Sequence, residues 1–473
     1  MTEWIETDLL IIGAGSGGLS VAAGAVQMGA DVVLLEGGKM GGDCLNHGCV
    51  PSKALIAAGK HAHAMTTGVP FGIKSVKPKV DYAKAKDHVA SVIARIEPHD
   101  SVERFEALGV RVITEYGQFI SPSEVEAGNA IIKARRIVIS TGSSPFVPPI
   151  PGLEDVPYYT NEDIFELREQ PAHLIVIGGG PIGMEMAQAH RRLGSKVTVL
   201  EGAKALGKDD PELAAIALER LRGEGIEIVE GAIASEISGE AGAIIVETKG
   251  GTKYEGSHLL MAVGRKPNTD KLDLDKGGIE HDRTGIKVDA GMRTSNRKAY
   301  AIGDVAGGLQ FTHVAGYHAG VIIRSALFGL PSKATNAHIP WATYTDPEIA
   351  QVGLTEAEAR EKYGTKLEVI RSEYAENDRA RAELLTDGLI KVMIVKGRPV
   401  GASIVGAQAG EHIQLWSLVI ANKQKIGAVA AMVSPYPILG EISKRAAGQY
   451  YTPRLFENET VKKLVRFVQR FVP

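Results

Sequence analysis

Asp8-Leu9-Leu10-Ile11-Ile12-Gly13-Ala14-Gly15-Ser16-Gly17-Gly18 is the stretch on which the fold turns. Five residues, four of them large and apolar, run without alternation, as a strand covered on both faces does. Glycines follow at once. A small-residue helix is then expected from Leu19 to Gly29, and a second strand, Asp31 to Leu35, ends on Glu36. Strand, glycine turn, helix and terminal acid form a βαβ dinucleotide fingerprint. Gly13, Gly15 and Gly18 let backbone N–H groups approach a pyrophosphate at the helix N-terminus, and Glu36 takes a ribose hydroxyl.

The pattern recurs. His173 to Ile177 leads into Gly178-Gly179-Gly180-Pro181-Ile182-Gly183, and the strand Lys196 to Leu200 ends on Glu201. From Gly13 to Glu36 and from Gly178 to Glu201 the interval is the same, 23 positions. Two equally spaced fingerprints, with Gly178, Gly180 and Gly183 as the second glycine set, imply two dinucleotides and an electron transfer between them. A carboxylate at Glu201 suits the free 2′-hydroxyl of NAD and repels a 2′-phosphate. No arginine follows it in Gly202-Ala203-Lys204, so NAD(H) is expected over NADP(H), with Lys204 the residue that argues the other way.

Between the fingerprints lies Gly41-Gly42-Asp43-Cys44-Leu45-Asn46-His47-Gly48-Cys49-Val50-Pro51-Ser52-Lys53, which holds the only two cysteines of 473 residues. A zinc site wants four ligands, and His47 is the only nearby third donor. A structural disulfide belongs to secreted chains, and Met1 to Thr7 is too short and too acidic for a signal peptide. A catalytic dithiol/disulfide remains, with no metal site expected. If the stretch is helical, Cys49 and Lys53 share a face. Cys44 and Cys49, five apart, then align poorly, and the first turn must distort at Gly48 to close a disulfide. A cysteine at a helix start beside a lysine is a thiolate near neutral pH.

Composition is that of an ordinary globular protein of about three domains, with 44% hydrophobic and 23% charged residues. The net charge of −3 points to neither nucleic acid nor an acidic surface as partner. No apolar run is long enough to span a bilayer, and the expected compartment is the cytoplasm.

Further along, a polar helical region runs from Tyr82 to Leu108, and the strand Arg136 to Ile139 ends in Ser140-Thr141-Gly142. The proline-rich stretch Phe146 to Gly152 reads as a linker and domain boundary. The strand Leu259 to Val263 ends at Gly264. Another, Ala299 to Ile302, delivers Gly303 and Asp304 to its C-terminal edge, where open α/β sheets bind ligands. From Ile339 an α+β texture sets in, with strands at Gly388 to Val395 and Val400 to Val405 and helices at Thr355 to Lys362 and Gly410 to Ala421.

Cys44 to Lys53, both fingerprints, Thr141-Gly142, Gly303-Asp304 and Pro340 to Glu348 together resemble the class I pyridine nucleotide–disulfide oxidoreductases, the family of dihydrolipoamide dehydrogenase, glutathione reductase and mercuric reductase. The resemblance implies an α/β fold with two Rossmann-like dinucleotide-binding domains and a C-terminal α+β dimerisation domain. The implied order is an FAD-binding domain over 1–150 resumed at 271–338, an NAD(H)-binding domain over 151–270 and a dimerisation domain over 339–473. It implies a homodimer holding FAD at the first site, with Gly42, Lys53, Thr141, Gly142, Gly303 and Asp304 joining the first fingerprint, and a nicotinamide nucleotide at the second, with Gly264. Cys49 would lie against the flavin and Cys44 would attack the substrate, with Lys53 pairing with Glu185.

One departure stands out. In the disulfide reductases a C-terminal His, five residues before a Glu, is the acid/base for the leaving thiol. Here Glu441 is present, but Tyr436 takes the His position. A phenol titrates near 10 and is a poor base at neutral pH. His47, His313 and His412 are candidate substitutes. Gln310-Phe311 and Glu376 to Arg379 are similar to mercuric reductases, but the C-terminal cysteine pair of those enzymes is missing. The expected activity is FAD-dependent NAD(P)H reduction of a disulfide, small-molecule or protein, or of another thiol-reactive acceptor. The alternatives are a metal-ion reductase and a redox-sensing flavoprotein without turnover. Finally, Val461, Leu464, Val465, Val468, Phe471 and Val472 recur at helical spacing opposite Lys462, Lys463, Arg466 and Arg470. This basic amphipathic helix either docks on the protein body or meets a membrane surface or membrane partner.

Overall fold

The structure, a computed structural model, describes residues 2–472. Two compact units emerge, one comprising residues 1–202 and 229–335, the other 203–228 and 336–473.

In the first unit β1 (Glu3–Ile12), α1 (Ser16–Gln27) and β2 (Val32–Leu35) form the expected βαβ turn. β1 starts at Glu3, earlier than the apolar run suggests. It pairs in parallel along the whole of β3 (Ala130–Ile139), from Glu3 opposite Ala130 to Ile12 opposite Ile139. Its first half alternates exposed Glu3, Trp4 and Glu6 with buried Ile5, and polar alternation hides a strand from a search for apolar runs. The seven-stranded sheet runs 111–113, β2, β1, β3, 124–127, 118–121, with β4 (Ala299–Ala301) also paired in parallel to β3. Alternate residues serve opposite faces. Leu10, Ile12, Val33 and Leu35 join Phe119, Val125 and Ile132 on one side, while Leu9, Ile11, Val32 and Leu34 join Leu19, Ala22 and Ile302 on the other. Burying each such side chain contributes about 1.5–3 kcal/mol, which is why the centre of the sheet needs no polar alternation.

The second fingerprint builds a second sheet in which Lys196–Glu201, His173–Ile177 and His258–Met261 lie side by side in parallel. Helix α5 (Pro181–Arg192) follows its glycine loop. Between the fingerprints come α2 (Gly42–Asn46), α3 (Cys49–Ala64) and α4 (Tyr82–Ile96). Helix α6 (Thr312–Ile322) comes after β4.

The cysteine stretch is two helices, not one helix with a distorted first turn. The Asn46 amide donates to the Met40 and Gly42 carbonyls at 2.9 Å and closes α2 after five residues. A Cβ on Gly48 would lie 2.8 Å from the Asp43 carboxylate and 3.0 Å from the Asp43 carbonyl, so a glycine suits the point where the chain folds back. Pro51, with no N–H to satisfy, sits in the first turn of α3, where helices tolerate proline.

The second unit carries a five-stranded antiparallel sheet in the order 340–343, 348–353, 398–406, 389–395, 367–373. Helices α7 (Ala409–Ala421) and α8 (Glu441–Gln449) pack on it through Trp416, Ile413, Ile442 and Ala446. The Trp416 indole N–H donates to Ser443 Oγ at 3.1 Å, satisfying a buried polar atom. Buried Lys391 reaches Asp210 at 3.0 Å, Glu212 at 2.7 Å and Glu356 at 3.0 Å. Burial presses its amine downward, but the hydrogen bonds it donates to Glu212, Asp210 and Glu356 prevail and hold it above the ordinary lysine value. The chain closes with α9 (Glu459–Val468).

Candidate active site

The two glycine loops share one geometry. Gly13 and Gly178 both have positive φ, 103° and 112°. Each donates its N–H to the strand beyond, to Leu35 and Leu200. A Cβ on Gly13 would meet the Ser140 carbonyl at 2.6 Å, and one on Gly178 the Ala262 carbonyl at 2.3 Å. The last glycine of each set is held as closely, since a Cβ on Gly18 would lie 1.9 Å from the Gly13 carbonyl and one on Gly183 2.0 Å from that of Gly178. The middle glycines differ from both. A Cβ on Gly15 or Gly180 would meet nothing within 4 Å. Two glycines per loop are therefore needed for packing and one opens onto free space at a helix N-terminus, the shape a pyrophosphate requires. Both loops fit a dinucleotide.

The acids closing the two fingerprints also act on the loops themselves. Glu36 Oε2 accepts the Ala14 N–H at 2.7 Å, and Glu201 Oε2 accepts the Gly179 N–H at 2.7 Å. Glu36 Oε1 takes the Gly38 N–H as well, at 2.7 Å. Each carboxylate fixes the second residue of its own turn, with lone pairs left for a hydroxyl. Gly42, at φ 61°, packs against Gly15, where a Cβ would come within 2.8 Å of the Gly15 Cα.

Cys44 and Cys49 meet across the break between α2 and α3, close enough for each thiol to act on the acidity of the other. Both are thiols, and Cys49 heads α3. Their acidities are driven apart. The hydrogen bond from Cys44, contacts with Thr312 and the Lys53 charge outweigh burial and bring the Cys49 thiol down to about 6. The bond to Cys49, burial and the Cys49 charge push Cys44 far up. At neutral pH the pair is thus one thiolate and one thiol. The Thr312 hydroxyl, at the first residue of α6, lies 3.3 Å from Cys49 Sγ. One turn along α3, Lys53 Nζ donates to Glu185 Oε2 of α5 at 2.7 Å, the carboxylate nearly buried and the amine partly exposed.

Asp304 stands at the edge of β4 and accepts Ser143 Oγ at 2.6 Å. Burial raises its pKa, against the Ser143 hydrogen bond and the Arg265 charge. Arg265 donates to Ser143 Oγ and to the Ser143 carbonyl, each at 2.7 Å, and reaches Asp43 Oδ1 at 3.2 Å. The Asn161 amide completes this network, donating to Asp43 Oδ1 at 2.9 Å and to the His47 carbonyl at 3.2 Å. Thr141 is clamped by Asn268, donating to its carbonyl at 2.7 Å and receiving its amide at 2.9 Å. Gly142 (φ 68°) and Gly264 (φ 138°) flank the paired segments 143–145 and 265–267. Gly303, at φ 68°, leaves only 3.0 Å between a Cβ and that of Ala315.

Sequence reading did not pick out Asp43 as a site residue, nor Ser143, Asn161, Arg265 or Thr312. Their contacts join positions more than a hundred apart in the chain and leave no local pattern.

Tyr436 and Glu441 belong to the second unit. Tyr436 is 71% exposed and donates its hydroxyl to Asp378 Oδ2 at 3.2 Å. That bond and the Asp378 charge hold the phenol above its usual pKa, still further from a base. Glu441 opens α8. The Asn377 amide holds the same loop by donating to the Ile438 and Leu439 carbonyls at 3.1 and 3.2 Å. Of the three histidines, His412 has a buried Nε2 without a hydrogen-bond partner, and burial lowers its pKa. His313 stacks on Phe311 with ring centroids 5.3 Å apart. His47 lines a cavity with Asn46, Lys86 and Phe165. Among the described residues no group of three or more His, Cys, Asp or Glu could hold a metal ion.

Two dinucleotide loops and a polarised dithiol at a helix head define a nicotinamide-dependent flavoprotein with a redox-active thiol pair. Comparison with known proteins agrees. Residues 7–319 match the pyridine nucleotide-disulphide oxidoreductase family, and residues 339–447 match its dimerisation domain. The chain belongs to this family and, with that domain, is a homodimer. It is 35% identical to a mercuric reductase of Lysinibacillus sphaericus over 93% of this chain and 82% of the relative. It is also 35% identical to a dihydrolipoyl dehydrogenase of Geobacillus stearothermophilus, over 94% and 96% respectively. The Cu(II) complex of the HOCl-induced flavoprotein disulfide reductase RclA from Escherichia coli superposes with a TM-score of 0.84 at 28% identity, covering 93% of this chain and 99% of that one. The protein is an NAD(P)H-dependent flavoprotein disulfide oxidoreductase with FAD and NAD(P)H as its cofactors. Among the described residues no helix is long and apolar enough to cross a membrane.

Proposed function

We propose that this cytoplasmic enzyme draws reducing equivalents from NADH and delivers them, through Cys44 and Cys49, to a disulfide or another thiol-reactive acceptor. The observation that carries the reading is the polarised pair at the head of α3, with the Lys53–Glu185 ion pair one turn behind it. Gly13, Gly15, Gly18, Glu36, Gly42, Lys53, Thr141, Gly142, Gly303 and Asp304 would hold FAD at the first loop, where it would supply two-electron exchange with the nicotinamide. The second loop, with Gly178, Gly180, Gly183, Glu201 and Gly264, takes the nicotinamide nucleotide.

The thiols then work in order. Cys44 loses its proton and its sulfur attacks one sulfur of the acceptor, which breaks the acceptor S–S bond and releases one thiolate. Cys49, already a thiolate, attacks the mixed disulfide, forms the Cys44–Cys49 bond and releases the second thiolate. Cys44 and Cys49 are oxidised to a disulfide, one acceptor disulfide is reduced, and the two product thiolates take up the Cys44 proton and one proton from solvent. The demanding step is the proton traffic at Cys44. A positioned base is worth about 10²–10⁴ in rate, and Tyr436 is a hydrogen-bond donor at neutral pH rather than a base.

That deficit favours a second reading, reduction of a soft metal ion. Cys49 and Cys44, the latter giving its proton to solvent, bind such an ion with no leaving thiolate to protonate. Mercuric reductases among the relatives and the Cu(II) complex of RclA support it.

The test is NADH consumption by the holoenzyme against a panel of low-molecular-weight disulfides, lipoamide, quinones, Hg(II) and Cu(II). If Cys44→Ser retains the parent rate with the best acceptor, electrons do not leave through the pair. Tyr436→His is expected to raise lipoamide or glutathione disulfide turnover at least tenfold, the low end of the about 10²–10⁴ range being reduced by imperfect placement. An unchanged rate would remove Tyr436 from the acid/base position.

A further inference from the structure

Helix α9 lies beyond residue 447, where the match to the dimerisation domain ends. Asn458 caps it, accepting the Thr460 and Val461 N–H groups, and Val472 continues its last turn with a bond to the Val468 carbonyl. No residue of α9 is buried. At 100° per residue the apolar side chains fall in one arc about 160° wide, made of Val461, Leu464, Val465, Phe467, Val468, Phe471 and Val472. Leu464 is 60% exposed and Phe471 73%, and the Phe467 and Phe471 rings meet at a tilt of 59° with centroids 5.1 Å apart on that face. The opposite arc holds Lys462, Lys463, Arg466 and Arg470, against the single acid Glu459, which pairs with Lys462. Among the described residues Lys463, Arg466 and Arg470 form no ion pair.

We propose that α9 lies flat on an anionic lipid surface, with its apolar face in the acyl boundary and its cations among the phosphates. Three arguments choose this occupant. The helix is 10 residues long, about 15 Å, too short to cross a bilayer and suited to lying along one. The apolar arc is wider than the seam of a helix pair and carries two phenylalanines, as interfacial helices do. Both flanks of the arc are cationic, so a second copy of the helix packed on it would set like charges side by side, whereas anionic headgroups would neutralise them. The rest of the chain is net acidic, so attraction to such a surface is concentrated in this one element.

The experiment is co-sedimentation of the holoenzyme with vesicles of phosphatidylcholine alone and with vesicles of phosphatidylcholine mixed with phosphatidylglycerol, at low and high salt. The enzyme is expected to sediment with the mixed vesicles only, and less at high salt. Leu464→Glu with Val468→Glu should abolish sedimentation while NADH consumption stays at the parent rate. Lys463→Gln with Arg470→Gln should weaken binding by about 25-fold, roughly fivefold per cation. Two results overturn the proposal: an enzyme left in the supernatant with the mixed vesicles, or a glutamate variant that sediments as well as the parent. Loss of the dimer in the glutamate variant, with no vesicle binding by the parent, overturns it too and gives the face to a second copy.

Discussion

Replacing Thr312 by Val removes a hydroxyl 3.3 Å from Cys49 Sγ and leaves the shape of the side chain intact. In the thiolate state that hydroxyl donates to sulfur. A hydrogen bond to a charged group contributes about 1.5–3 kcal/mol. Cys49 stands open to solvent although its neighbours partly desolvate the sulfur, so the lower end applies, and about 1.4 kcal/mol corresponds to one pKa unit. The thiol should therefore rise from about 6 to roughly 7. The sign follows from the charged form being the one stabilised: reactivity is present above the midpoint and is lost as pH falls through it. At pH 6.5 the thiolate fraction should drop from about three-quarters to about one-quarter, and at pH 9 it should not change. The assay is the pH dependence of iodoacetamide alkylation of the NADH-reduced enzyme without oxygen, with the modified cysteine located by peptide fragmentation. Thr312→Ser keeps the hydroxyl and should keep the midpoint near 6. A Val variant with an unshifted midpoint, or a Ser variant that shifts as far as Val, would refute the assignment of Thr312 as a donor to Cys49.

Three further outcomes are expected. Two-electron reduction should produce a long-wavelength charge-transfer absorbance between the Cys49 thiolate and FAD, and Cys49→Ser should abolish it; a band that survives would mean the roles of the two sulfurs are exchanged. Gly180→Val should leave the protein folded and yellow, since a Cβ there meets nothing within 4 Å, while the KM for NADH climbs; Gly183→Ala, with its Cβ 2.0 Å from the Gly178 carbonyl, should instead lower the melting temperature. An unaltered KM in the Gly180 variant would show that this glycine does not face the nucleotide. Lys391→Met leaves nearly buried Asp210 without its cation, a change worth about 3–5 kcal/mol for a buried pair, and the urea midpoint should fall accordingly. A midpoint that does not move would mean burial of the charges cancels their attraction.

The βαβ turns were legible because their signals are local. Apolar runs, the glycines at fixed offsets and a terminal acid all fall within about 30 residues, and the backbone can satisfy each requirement where it stands. The roles of individual glycines were not separable by pattern. Gly13 and Gly15 look alike in sequence, yet one is pinned under Ser140 and the other faces open space. The early start of β1 was hidden by polar alternation at Glu3, Trp4 and Glu6, which is chosen by the partner strand and not by the segment itself.

By itself the sequence determined that this chain binds two dinucleotides and carries one thiol pair, because both depend on residue types at short, fixed separations. The spacing to Lys53 also marked Cys49 as the thiolate, but only the tertiary structure decided what else drives the pair apart. Cys44 and Cys49 are alike as letters, and their acidities part because Gly48 breaks the helix between them, Lys53 stands one turn behind the second, and Thr312 arrives 263 positions later to hydrogen-bond its sulfur. An electrostatic field is a sum over neighbours in space, and the neighbours that set this one are brought together only when the sheets have formed.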